Sequence, residues 1–284
     1  MILFLFSSFV VQLFTIPILY DILSFNNTYP MLVHAYIIPH HTRVVMFPGY
    51  GCISKDYKQL ENYCRKLDVP YDCVPIKRYE WLNVFNSVCS NDYLNYRCTP
   101  DQLFDWYLKK ASTTIQDSLR KNNDKPIVLC GHSAGGWLAR AVMQNNTLYG
   151  AHNIQTEDAV SSLITLGTPH EALPLDITRG CLNYINNHYS LIENIRYTTV
   201  GSMAKKVEVR DHHSLEDKLV LNSYRTVVDS SDHDYICGDG IVPTQVSHLK
   251  GARNINFEDV YHFKKCGKKW YFDESIMDVW FPFL

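Results

Sequence analysis

The sequence predicts an α/β fold: a mostly parallel central sheet of about six strands, helices on both faces and a small lid insertion. Three observations carry this. Short apolar runs with strand character alternate with segments of helical periodicity, the pattern of βαβ units around a parallel sheet. The run Ile127-Val128-Leu129-Cys130 is apolar throughout, as a strand buried on both faces must be. It leads through Gly131-His132-Ser133-Ala134-Gly135 into a segment with Leu138, Ala141 and Val142 at helical spacing, so a G-x-S-x-G match sits in a strand, tight turn, helix context.

Taken in order, the chain opens on an uncharged apolar run, Met1 to Tyr20. Residues 1–25 therefore read as a hydrophobic leader, either signal, anchor or targeting segment, against the alternative of a pair of core strands. A single domain over 43–284 follows, with insertions about 83–100 and 171–194. Arg43 to Phe47 is the first core strand and ends in the turn Pro48-Gly49-Tyr50-Gly51-Cys52. Asp56 to Leu67 spaces Tyr57, Leu60, Tyr63, Cys64 and Leu67 as one apolar helical face. Val69 to Ile76 is the next strand, and Arg78 to Leu82 leaves it toward the expected site. A long irregular stretch, 83–100, precedes a helix capped by Asp101 and running to about Lys121. Beyond the elbow, strands are expected at Ser162–Leu166, Ile195–Val200 and Ala252–Phe257. Residues 172–194, with a helical piece near Gly180 to Ile185, are expected to lie over the site as a lid.

With 284 residues, 46% of them hydrophobic, the chain can bury one sizeable core. A net charge of −2 offers no basic field, which argues against a nucleic-acid partner. Nine cysteines suit an oxidising compartment better than the cytosol. Cys130 is expected as a free core thiol, and Cys89 with Cys98 as the first disulfide pair. No C-x-x-C pair exists, so neither metal nor cofactor is expected. Asn26-Asn27-Thr28 and Asn145-Asn146-Thr147 match the glycosylation pattern.

The chemistry centres on Ser133. A turn of this kind holds the serine in a strained conformation at a helix N-terminus, where the Ala134 N–H can help stabilise an oxyanion, and only small residues fit at Gly131 and Gly135. Tyr50, Gly51 and Cys52 are the candidates for the second oxyanion donor. A serine hydroxyl needs an imidazole to take its proton, and that imidazole needs a carboxylate to fix its tautomer. Asp239, in Gly238-Asp239-Gly240-Ile241-Val242-Pro243, and His262, just after the last strand, fall in the required order. Their rivals fit less well: Asp229, Asp232 and Asp234 lie in a polar run, His248 precedes the last strand, and Asp211-His212-His213 reads as exposed loop. His132 is expected to pack away from the nucleophile. Trp81, His170 and Tyr184 are expected near the substrate.

Gly-His-Ser-Ala-Gly-Gly-Trp, Leu166-Gly167-Thr168-Pro169-His170, Thr178-Arg179-Gly180-Cys181-Leu182-Asn183-Tyr184, Gly238 to Pro243 and the Val260-Tyr261-His262 segment with Trp270-Tyr271 resemble the α/β-hydrolase proteins related to GPI inositol-deacylase and lipases, the plastid-type members most closely. Arg78 to Leu82 and Leu103 to Leu108 add to the likeness, which covers about Arg43 to Trp280. It implies an α/β-hydrolase fold, a triad of Ser133, Asp239 and His262, an oxyanion hole from Tyr50, Gly51 and Ala134, and cleavage of a lipid-type carboxylic ester through an acyl-enzyme. It also favours reading the leader as a targeting or anchoring segment, with a secretory, plastid-like or membrane-associated location. An acyl-protein thioesterase uses the same residues, and a catalytically silent lipid- or partner-binding protein is the competing class. Lys205 to Tyr235 departs from the family by its polarity, which leaves the local strand count open.

Overall fold

The computed structural model describes residues 42–174, 178–210, 214–265 and 267–284. The leader, the Asn26 sequon, the Asp211-His212-His213 stretch and Cys266 lie outside the described residues.

Six strands form one parallel sheet: β1 (Val44–Phe47), β2 (Tyr71–Cys73), β3 (Ile127–His132), β4 (Val160–Leu166), β5 (Arg196–Ser202) and β6 (Arg253–Phe257). Their order across the sheet is β6-β5-β4-β3-β1-β2. The chain runs outward from β1 to β2, then returns to build the other side from β3. The switch of direction therefore falls between β1 and β3, the place where a crevice opens at the strand C-termini in such sheets. In register, Phe47 lies beside Gly131, so the turn after β1 and the Ser133 elbow after β3 emerge side by side.

Period-two alternation divides the core into two layers. Val45, Phe47, Ile127 and Leu129 face helices α2 (Pro100–Lys121), α3 (Ala134–Met143) and α4 (Cys181–His188). Val44, Met46, Val128 and Cys130 face α1 (Lys58–Lys66) and α6 (Glu274–Trp280), where Leu60, Cys64, Met277 and Trp280 are buried. Cys130 is a free, buried thiol.

Three local expectations are corrected, and the strand count left open after β5 is filled in. Helix α2 begins two residues earlier than its sequence signal, capped by Thr99 with Pro100 in its first turn, and Asp101 lies inside that turn. The Thr99 N–H donates to Gln102 Oε1 at 2.9 Å, closing a capping box that the Asp101 reading overlooked. Cys89 and Cys98 are free thiols: Cys89 is exposed, whereas Cys98 is buried with its N–H donating to the Arg179 carbonyl at 2.9 Å. Helix α4 is part of the core layer, burying Cys181, Leu182 and Ile185 against α2 and α3, and so is no lid. Residues Lys205–Glu208 and Tyr235–Gly238 pair as an antiparallel ribbon. Helix α5 (Leu215–Tyr224) packs on this ribbon, and Val207, Val220, Leu221, Tyr224, Ile236 and Val242 make a third, separate cluster. Among the described residues no helix is long and apolar enough to cross a membrane.

Asp72 ties β2 to its neighbours. It accepts from Arg43 at 2.6 Å, Ser118 at 2.8 Å and Lys121 at 3.0 Å. Burial opposes its ionisation, but the Lys121, Ser118 and Arg43 donors outweigh that and hold the carboxyl below the usual carboxylate range. A depressed folded-state pKa contributes stability above the unfolded value that is lost as pH falls through the folded one. Asp72→Asn is expected to lower unfolding stability by about 1 kcal/mol at neutral pH, allowing for solvent screening of a partly exposed site. Denaturant titration should show that difference closing as pH drops below about 4.

Candidate active site

The elbow is built from backbone geometry. Ser133 has φ 53° and ψ −130°, a sparsely populated conformation costing about 1–3 kcal/mol that surrounding contacts must enforce. They do so at both backbone groups. The Ser133 N–H donates to the Leu166 carbonyl at 2.9 Å, and its own carbonyl accepts from the Gly136 N–H at 3.1 Å and the Thr168 hydroxyl at 2.8 Å.

Asp239 follows the Tyr235–Gly238 strand and is 1% exposed. A buried carboxylate is costly unless its lone pairs are filled. Oδ1 accepts from the Ile241 N–H at 3.0 Å and the Val242 N–H at 2.7 Å, and Oδ2 from the Tyr271 hydroxyl at 2.9 Å. The remaining contact is His262: its Nδ1 lies 2.7 Å from Oδ2, while its backbone N–H donates to the Asp239 carbonyl at 3.0 Å. Facing a carboxylate, Nδ1 carries the proton, which makes Nε2 of the neutral ring a bare acceptor. That Nε2 is buried and has no hydrogen-bond partner among the described residues. Gly167 makes this pairing sterically possible. It has φ +55°, and a Cβ there would lie 2.6 Å from Asp239 Oδ2 and 3.0 Å from His262 Nδ1.

His132 does more than pack. Its Nε2 lies 3.1 Å from the His262 carbonyl, and its Nδ1 lies 3.0 Å from the Tyr57 hydroxyl. Burial, then the neighbouring His262 ring, holds the His132 imidazole well below the usual histidine range, so the ring is neutral. A carbonyl accepts only, so the proton is on Nε2, and Tyr57 must donate to Nδ1. The Tyr57 oxygen in turn accepts from the Gly49 N–H at 2.9 Å. One chain of hydrogen bonds thus joins the turn after β1 to the loop carrying His262.

The turn after β1 is fixed from several sides. The Tyr107 hydroxyl donates to the Pro48 carbonyl at 3.0 Å, Arg78 to the Gly51 carbonyl at 2.6 Å and the Trp81 indole N–H to the Cys52 carbonyl at 3.0 Å. It lies against the nucleophile, for a Cβ on Gly49 would be 2.8 Å from Ser133 Cβ. Because the Cys52 N–H donates to the Gly49 carbonyl at 2.9 Å, Cys52 is removed from the oxyanion candidates. The expectation stays with Tyr50 and Gly51.

Ser133, His262, Tyr50, Gly51 and Ala134 all line one cavity of about 630 Å³. Three residues expected at substrate do not line it. Trp81 stands behind the turn, its ring 4.9 Å from that of Tyr50. His170 is buried between Thr165, 2.9 Å from its Nε2, and Arg140, and its N–H donates to the Val246 carbonyl. Burial, then Arg140, holds its ring well below the usual histidine range. Tyr184 stacks on His188 at 4.1 Å. The apolar wall comes instead from Val84, Leu103, Phe104, Trp137, Val227 and Ile241. Val227 belongs to the segment after β5 that sequence polarity concealed, and Ile241 to the Asp239 turn.

Residues 101–241 match the model of the PGAP1-like alpha/beta domain family. Over that stretch, just under half of its length, the chain is similar to this domain family. The matched part of this domain runs from α2 to just past Asp239, containing Ser133 but neither Tyr57 nor His262. The six-stranded parallel sheet with helices on both faces is the α/β architecture that the sequence predicts. No curated protein is significantly similar to the chain in sequence. Among solved structures it is similar to Bacillus licheniformis lipase BlEst2, at 13% identity over 84% of this chain and 89% of that one, TM-score 0.49. It is similar to EstA from Clostridium botulinum, at 11% identity over 90% and 92%, TM-score 0.48. The likeness to phospholipase PlaB from Legionella pneumophila, at 12% identity and TM-score 0.41, covers 73% of this chain and 45% of that one.

Tyr57 is the residue whose hydroxyl joins the turn after β1, through His132, to the His262 loop. Tyr57→Phe orphans the Gly49 N–H and His132 Nδ1 in a buried place, and is expected to cost about 1–3 kcal/mol of stability. The shift of the denaturant midpoint against wild type measures it.

Proposed function

We propose that this chain is a serine hydrolase that cleaves a carboxylic ester with an apolar acyl group. The observation that carries this reading is the strained Ser133 elbow sharing a cavity with a buried, unpartnered His262 Nε2 whose other ring nitrogen is held by Asp239. An unpaired buried acceptor beside a strained hydroxyl is what a general base and its nucleophile require.

In this reading Ser133 Oγ attacks the ester carbonyl carbon as His262 Nε2 takes its proton, and Asp239 stabilises the resulting imidazolium. The carbonyl oxygen gains the negative charge, opposite the backbone N–H groups of Ala134 and of Tyr50 or Gly51. Collapse breaks the bond to the alcohol oxygen, and His262 returns the proton to that leaving group. Water then attacks the acyl-serine, again losing its proton to His262, and the carboxylic acid leaves as Ser133 recovers its own. The reaction needs no group beyond these side chains and water. The acyl chain lies against Phe104, Trp137 and Val227, in a cavity whose size falls in the range of small-molecule sites.

Wild type is expected to react with a fluorophosphonate probe, and Ser133→Ala, with an unchanged circular dichroism spectrum, is expected not to. Hydrolysis of p-nitrophenyl esters by wild type should rise from acetate toward medium chains and fall by roughly 10³-fold or more in Ser133→Ala. A well-folded wild type that neither labels nor turns over any ester would overturn the reading.

A further inference from the structure

We propose that the alcohol part of the substrate carries an anion, and that Arg179 binds it. The inference deepens the hydrolase reading by naming a substrate class, an acyl ester with an anionic headgroup.

Arg179 lines the cavity. Its guanidinium is clamped between two aromatic faces, with the ring centroids of Tyr93 and Tyr96 at 4.6 Å and 4.4 Å. Its backbone is fixed as well, at φ 56°, with its carbonyl accepting from the Cys98 N–H. Stacking engages the faces of the guanidinium and leaves its in-plane N–H donors, which among the described residues hydrogen-bond to nothing. No carboxylate among the described residues pairs with it. A cation held rigidly in a cavity wall without a counter-ion is an anion receptor in waiting, and the guanidinium fork matches a phosphate or carboxylate in two-point fashion.

The rest of the cavity agrees in sign. Its other cations are Lys55, Lys58, Arg78 and Lys264, and its one acid is Asp56, paired with Arg78 at 3.1 Å. Lys55 and Lys264 have no acidic partner among the described residues, whereas Lys58 pairs with Glu61, and Lys66, Lys109, Lys110, Lys121, Lys205, Lys265 and Lys269 are likewise ion-paired. Field lines concentrate in a concave site with low-dielectric walls, so this excess of positive charge both draws an anion in and orients it. The acyl chain takes the apolar wall. The charge therefore belongs on the alcohol side of the scissile ester.

The test uses a matched pair, 1-decanoylglycerol and its 3-phosphate, below their aggregation thresholds. Binding is measured to full-length Ser133→Ala, where no turnover occurs. At low salt the phosphate is expected to bind at least about tenfold more tightly. Adding Arg179→Gln should bring the ratio to about one, Arg179→Lys should restore part of it, and high salt should shrink it. Equal binding of the pair, or a ratio that survives Arg179→Gln, overturns the proposal. So does displacement by inorganic phosphate alone at the same concentration, which would mark a free-anion site. If Arg179 only clamps its two loops, both ligands lose affinity equally and the ratio stays. Wild-type turnover is read separately: a retained binding ratio with neither ester hydrolysed leaves this proposal standing and faults the hydrolase reading.

Discussion

The buried carboxylate of Asp239 sets the terms for everything around it. An ion excluded from water must be met by donors, and here four arrive from three places: two backbone N–H groups of its own turn, the Tyr271 hydroxyl and the His262 ring. The turn must then close tightly, the segment after β6 must pass beside it, and Gly167 must have no side chain. Removing any one donor leaves an uncompensated lone pair in a low dielectric, which is why this small cluster constrains loops from three separate strand ends.

Much of this was legible in the sequence, and the reason is local. The elbow is written in five consecutive residues between an all-apolar strand and a helix, and Asp239 and His262 follow in chain order on loops recognisable from their glycines and from the strand before them. The other strands emerged within a residue or two of their apolar runs, except β2, which covers only Tyr71–Cys73 of the expected Val69–Ile76. What sequence hid is contact between remote elements. Tyr57 reads as one more apolar position on a helical face, and nothing local says that its hydroxyl reaches His132. Gly167 reads as a turn residue, although its Cβ would collide with groups 72 and 95 positions further on.

The misplaced lid has the same origin. Residues 181–188 carry a modest apolar stripe after a proline-containing stretch, which looks like an insertion, yet the stripe fits the groove between α2 and α3. The polar segment after β5 looks solvated because its apolar residues alternate with charges. Alternation is what a two-stranded ribbon with one packed face produces. Val207 and Ile236 turn inward to α5 while Lys206 and Glu208 turn out, and the cluster so formed brings Val227 and Ile241 to the cavity.

The hydrogen bonds from Gly49 through Tyr57 and His132 to the His262 carbonyl begin at an amide that can only donate and end at a carbonyl that can only accept. Both ends being fixed, the hydroxyl and the imidazole between them admit one arrangement of protons. Such a line of groups conducts no proton, however well aligned its atoms. It acts as a brace of set polarity, and the loop that carries His262 is held to the turn after β1 in one orientation only.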